Sequence, residues 1–327
     1  MKNPLWANLY RLDETSGSIG ALRLLAQEPD AREWAREIET QNTWGKGMTP
    51  LMSCVSRQEL DAVAILAPIS DPVGGAENRS ILAFAAEINA HKALAILVPF
   101  FDCAARDPVS GLTALEVSAR LGHVKCAEAL LPFSDVNSAC PGTGMTPLGL
   151  ALRGGKGSMA ALLAPVSDWS AKTTNGDTLL MLAAMGSDAK TTRALIQKSD
   201  LRAKNNAGET ALIIAAFSGN VEVLEALVPG SDLSVAVGPS GQRQTAFDIV
   251  AERDWHTCAD VLAREDDAPA SLERVARIAR NGRQPARRIE AILEAEAIRQ
   301  SIRAGAPSAQ APTRDQQENH RRARKPL

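Results

Sequence analysis

Residues 111–135 read GLTALEVSARLGHVKCAEALLPFSD, and this stretch decides the fold. Thr113 follows a turn glycine, Gly111, and can cap a helix whose apolar positions are Leu115, Val117 and Ala119. Gly122 and His123 punctuate that helix. A second helix follows with Cys126, Ala127, Leu130 and Leu131 facing inward. Pro132 bars its continuation, and Ser134-Asp135 opens a turn.

The same spacing recurs seven times, starting at Thr49, Ser80, Thr113, Thr146, Thr178, Thr210 and Thr245. Seventeen residues after each start stands a leucine (Leu66, Leu97, Leu130, Leu163, Leu195, Leu227, Leu262). Twenty-two after each stands an aspartate (Asp71, Asp102, Asp135, Asp168, Asp200, Asp232, Asp267). The starts are 31 to 35 residues apart. A unit this short cannot bury its own apolar face, so it must stack on its neighbours. The spacing predicts a mostly α-helical, elongated stack, and binding rather than chemistry as its first use. All length variation falls between the aspartate and the next start. A variable connector on a constant helix pair suits an adaptable binding surface, and ordinary loop tolerance explains it as well.

The segments GMTPLMSCV, GLTALEVSARLGH, GMTPLGLAL and GETALIIAAFSGN resemble the ankyrin-repeat family. The resemblance covers about Trp44 to Asp267. It implies a solenoid of helix-turn-helix units with short β-hairpin fingers, about seven repeats plus terminal caps. The family's histidine, three residues after the start, is replaced here by Met52, Ala83, Glu116, Gly149, Met181, Ile213 and Asp248. The hydrogen bonds it makes between repeats are therefore in question, and packing by Met and Ile is the expected substitute. Partners of the family meet the finger tips and the inner face of the first helix. That implies Met48, Arg79, Leu112, Met145, Asp177 and Glu209 just before the starts. At the ends of the first helices it implies Ile88, Leu121, Arg153, Met185 and Phe217. The apolar members are expected to be exposed and rimmed by charge, as an interface is. The Ala/Arg-rich, Lys-poor composition also resembles proteins of GC-rich bacteria.

The two ends depart from the repeat. Residues 1–46 read as an N-terminal cap, and as a degenerate unit starting at Asn8, with a helix over Ala31–Thr43. Trp6, Tyr10, Trp34 and Trp44 crowd there, either sealing the stack or forming an aromatic patch. The repeats then occupy 47–267. Residues 268–304 read as a C-terminal helical cap and 305–327 as a disordered basic tail. Net charge is −2, with thirteen basic and six acidic side chains after Asp267 against 23 and 32 before it. The tail can touch nucleic acid or an acidic surface, or simply stay solvated.

Five cysteines without metal-ligand spacing read as small buried side chains in a reducing, cytoplasmic compartment. No apolar stretch is long enough to span a membrane. His123, His91 and His256 fall near inter-helix turns, and the repeating aspartates suffice as turn caps. The glycine-rich turn Arg153–Gly157 is weakly suggestive of phosphate. Catalytic, metal-ligating and cofactor-binding residues are not expected. The leading function is a monomeric, non-enzymatic scaffold for an unnamed protein partner. The alternative is an exported effector or inhibitor that occludes a host or phage protein, with the tail for export or nucleic-acid contact.

Overall fold

The computed structural model describes residues 4–9, 17–36, 47–186, 188–239, 243–253 and 255–265. The expected helix beyond residue 36, Tyr10, Trp44, the C-terminal cap and the basic tail lie outside the described residues. Two compact units divide after Ala246.

In the first unit, α1 (Pro4–Leu9), α2 (Gly17–Leu25) and α3 (Ala31–Arg36) precede a run of helix pairs. These pairs are α4 (Pro50–Arg57) with α5 (Leu60–Leu66), and α6 (Ile81–Glu87) with α7 (His91–Leu97). Next come α8 (Ala114–Leu121) with α9 (Val124–Leu130), and α10 (Pro147–Arg153) with α11 (Gly157–Leu163). Last are α12 (Leu179–Gly186) with α13 (Ala189–Ile196), and α14 (Ala211–Ser218) with α15 (Val221–Leu227). First helices pack on first helices and second on second along the series. The second unit contains the rest of α16 (Ala246–Glu252), which begins at the boundary, and α17 (His256–Glu265). Ile249, Val250, Cys258 and Leu262 are buried there.

The start residues do what their chemistry predicts. The side-chain oxygens of Thr49, Ser80, Thr113, Thr146, Thr178 and Thr210 accept the amide hydrogens of Met52, Ala83, Glu116, Gly149, Met181 and Ile213. Each satisfies one of the amides that a helix start leaves over. Six of the repeating leucines, from Leu66 to Leu227, are buried in this unit. Small residues at 85–86, 183–184 and 215–216 are buried too and let the first helices approach closely. Proline does not stop the second helices outright. Around Pro68, Pro132 and Pro165 they tighten into 3-10 turns at Ala67–Ile69, Leu131–Phe133 and Ala164–Val166.

Strand pairing is sparse. β1 (Val73–Gly74) pairs antiparallel with β2 (Arg79–Ser80), and β3 (Ala236–Val237) with β4 (Gln244–Thr245). A single bridge joins Lys172 and Thr178. Elsewhere a tight turn closes on a backbone bond from the first residue to the last: Asp107 N to Leu112 O (2.8 Å), Cys140 N to Met145 O (2.8 Å) and Asn205 N to Glu209 O (3.0 Å). Neighbouring connectors are stitched together by Ala76 N to Gly47 O, Thr174 N to Thr143 O and Asn206 N to Asn175 O. Gly144 and Gly176 sit at φ of 66° and 78°, and a Cβ on either would press on the next connector at 2.9 and 2.7 Å.

One expectation at the N-terminus is overturned. Asn8 does not start a helix. It lies near the end of α1, and its Nδ2 donates to Pro4 O at 2.9 Å. The helix begins earlier, at Pro4, where a proline suits the first turn. α1 packs on α2 and α4, and α2 on α5, in the manner of the pairs that follow.

Candidate partner-binding surface

Two connectors bring their last residue to the end of the first helix that follows, eight residues on. Arg79 Nη2 meets Glu87 Oε2 at 2.6 Å, and Arg153 Nη1 meets Met145 Sδ at 3.8 Å. The two sets of residues expected to share a surface are thus brought together at these positions. Their exposure is uneven. Ile88 (41% exposed), Phe217 (36%) and Arg153 face solvent. Met48, Arg79, Leu121, Met185 and Glu209 are half-buried.

Leu112, Met145 and Asp177 are buried, which corrects the expectation of exposure for the two apolar residues among them. Gly149 takes up little room, so Leu182 of α12 comes close, and a Cβ on Gly149 would lie 3.0 Å from Leu182 and 3.9 Å from Met145. Gly149 thus leaves room for the following first helix to come close on the side where Met145 lies. Asp177 accepts from Thr173 Oγ1 (3.0 Å) and from Asn205 Nδ2 (2.8 Å), and Asn205 Nδ2 also donates to Glu209 Oε2 (2.9 Å). Asn205 thus holds Glu209 within its own connector and Asp177 in the preceding one.

Two polar residues that the spacing does not single out, Asp107 and Arg106, tie this surface together. Asp107 is wholly buried and accepts from Ser80 N (2.8 Å) and from Ser110 N and Oγ (3.0 and 2.8 Å), with Arg79 Nε 3.4 Å away. Burial pushes its carboxyl up, but those hydrogen bonds and the Arg79 charge outweigh it and hold the group below the usual carboxylate range. For Arg79, burial lowers the pKa, and the Glu87 and Asp107 carboxylates more than restore it, so the guanidinium is held above its ordinary value. Arg106 donates to Glu116 Oε2 (2.8 Å) and Gly111 O, then reaches Ser138 Oγ and Ala139 O in the next connector. Glu116 also completes a capping box by accepting from Thr113 N at 3.0 Å. The inter-repeat bonds in question for want of a histidine are supplied here by Arg106, which Glu116 holds from within its own unit. At the fifth start Met181 Sδ takes the Thr178 amide. The signal available in the sequence was Asp107-Pro-Val-Ser-Gly111, a turn motif whose distant partner Ser80 no local pattern reveals.

The remaining candidates resolve into structure. Asp102, Asp135, Asp168, Asp200 and Asp232 each accept the amide two residues on. His123 Nδ1 lies 2.8 Å from Ala86 O and ties α9 to the preceding first helix. The five cysteines are free thiols, all buried except the half-buried Cys140. In the glycine-rich turn, a Cβ on Gly155 would strike Gly186 O and one on Gly157 would strike the Asp188 carboxylate. Glycine is required there for close packing beside a negative charge, which argues against phosphate. Among the described residues, no group of three or more His, Cys, Asp or Glu is placed to hold a metal ion, and no helix is long and apolar enough to cross a membrane.

No curated protein matches the chain. The family model described as ankyrin repeats does match, in three copies across residues 148–237, which run from α10 to β3. This match supports ankyrin repeats over residues 148–237, and the capped helix pairs before them keep the same period.

Proposed function

We propose that the chain is a non-enzymatic protein-interaction scaffold. Ankyrin repeats are generally protein–protein interaction modules. In this reading the seven starts from Thr49 to Thr245 mark seven repeats, and α1 with α2 is a shortened unit at the N-terminal edge. The partner lies across the connectors and the ends of the first helices. The observation that carries the reading is the pairing of connector and helix end, Arg79 with Glu87 and Met145 with Arg153. The exposure of Ile88, Arg153 and Phe217 at the ends of first helices supports the reading. Met48, Leu121, Met185 and Glu209 flank them, while Leu112, Met145 and Asp177 support the surface from beneath. The buried thiols suit a reducing compartment.

The test is affinity capture from the native cell with the full chain and with an Ile88→Ser, Arg153→Glu, Phe217→Ser variant. Proteins recovered by the wild type should be depleted at least tenfold with the variant, at unchanged helical circular dichroism. Equal recovery by both proteins would refute the proposed surface.

A further inference from the structure

The second helices exit onto a row of side chains that the surface above does not use. Twenty residues after the first four starts stand Ile69, Phe100, Phe133 and Val166, each preceded by a proline. Phe100, Phe133 and Val166 are 48%, 60% and 52% exposed. Burying such side chains fully stabilises by roughly 1.5–3 kcal/mol each, so leaving three of them at equivalent positions in water is a repeated, costly choice. The proline turn suits the geometry: the second helices end at Leu97, Leu130 and Leu163, and Phe133 and Val166 close proline-tightened 3-10 turns.

Two residues further on, each of these side chains is followed by an exposed aspartate: Asp102, Asp135 and Asp168. One oxygen of each accepts the turn amide. Bonds from Ser170 hold the Asp168 carboxyl below its ordinary pKa, so it is ionised at neutral pH. The edge is thus an alternation of apolar and anionic groups, one pair per helix pair.

The rung before these three is already occupied, and its occupant shows what the edge accepts. α3 packs on the 3-10 turn that carries Ile69. From α3, Arg36 grips Asp71 with both nitrogens, Nε to Oδ2 at 2.6 Å and Nη2 to Oδ1 at 3.2 Å. At the far end the row stops, since Lys198 takes the apolar place and lies over the Trp169 ring at 4.6 Å.

We propose that Phe100 with Asp102, Phe133 with Asp135 and Val166 with Asp168 form a second docking edge, for a basic amphipathic helix of a partner protein. Packed helices lie about 8–10 Å apart, and an α-helix rises about 1.5 Å per residue. A helix lying along the edge therefore advances about five to seven residues per rung. Its signature is an apolar residue and an Arg or Lys recurring at that spacing.

The probe is a fluorescein-labelled helical peptide carrying Leu and Arg every seven residues over three repeats, titrated into the full chain and read by anisotropy. Saturable binding is expected, weakened at least tenfold when Glu replaces Arg in the peptide. The same loss is expected for Phe100→Ser, Phe133→Ser, Val166→Ser, and for Asp102→Asn, Asp135→Asn, Asp168→Asn. Asparagine keeps the oxygen that caps each turn, so the second variant should stay folded. The Ile88→Ser, Arg153→Glu, Phe217→Ser variant should bind the peptide as the wild type does, which separates this edge from the first surface. No binding, equal binding of the Glu peptide, or indifference to both edge variants would overturn the proposal. So would a dimer in sedimentation that the serine variant dissolves, since the edge would then serve a second copy of this chain.

Discussion

Asp107 has no accessible surface and yet keeps its charge, because the Ser80 amide, Ser110 and Arg79 surround it with donors. Its folded pKa is lowered. A lowered carboxylate contributes stability that is fully present above the unfolded value of about 3.9 and is lost as pH falls through the folded value. Asp107→Asn should therefore cost about 1–3 kcal/mol at pH 7 in urea unfolding. The gap to wild type should close on acidification below about pH 4, and a gap unchanged down to pH 2 would contradict the account. Thiol reactivity gives a second check at this scale. Burial pushes the Cys126 thiol up to about 11 and raises Cys54 further. In the folded chain Cys140 should react first with a thiol reagent, and Cys54 and Cys126 only on unfolding. That Cys54, Cys126 and Cys258 would be apolar filling was legible from their helix positions, whereas Cys140, also expected to be buried, sits half-buried in a connector. The role of Asp107 was not, since its principal partner is 27 residues away.

At the scale of elements, the helix starts were legible because a cap is a local bond between a hydroxyl and an amide three residues on. Thr146→Ala, which removes the bond to the Gly149 amide, should cost about 1 kcal/mol. Glu116→Ala should cost more, about 1–3 kcal/mol, because it strips the Thr113 amide and Arg106 of their buried acceptor. Thermal melts of both variants would rank them, and a larger loss for Thr146→Ala would count against the Arg106–Glu116 tie. The connectors were harder to read. Their turn glycines are visible in sequence, but whether two strands pair or a single bond closes the turn depends on the next connector pressing against it. β1 pairs with β2 and β3 with β4, while the turn at Asp107–Leu112 closes on one backbone bond without a strand.

At the scale of the whole molecule, a stack whose units touch only their neighbours should transmit damage no further than it must. Leu163, wholly buried in α11, should lose about 2–5 kcal/mol on change to alanine. Hydrogen exchange should then rise most in α9, α11 and α13, which pack together, and least in α5. Uniform acceleration throughout the first unit would mean longer-range cooperativity than the contacts imply.

The period, the capped starts and the buried leucines were determined by the sequence itself, because each depends on residues a few positions apart repeating in phase. Only the tertiary structure decided which connector residues reach solvent. Met145 and Asp177 occupy the same register as Arg79, yet both are buried, and Asn205 in the next connector holds Asp177. The tertiary structure likewise left Phe100, Phe133 and Val166 outside the stack, beside their aspartates. Exposure belongs to neighbours about thirty residues apart, and no local spacing encodes it.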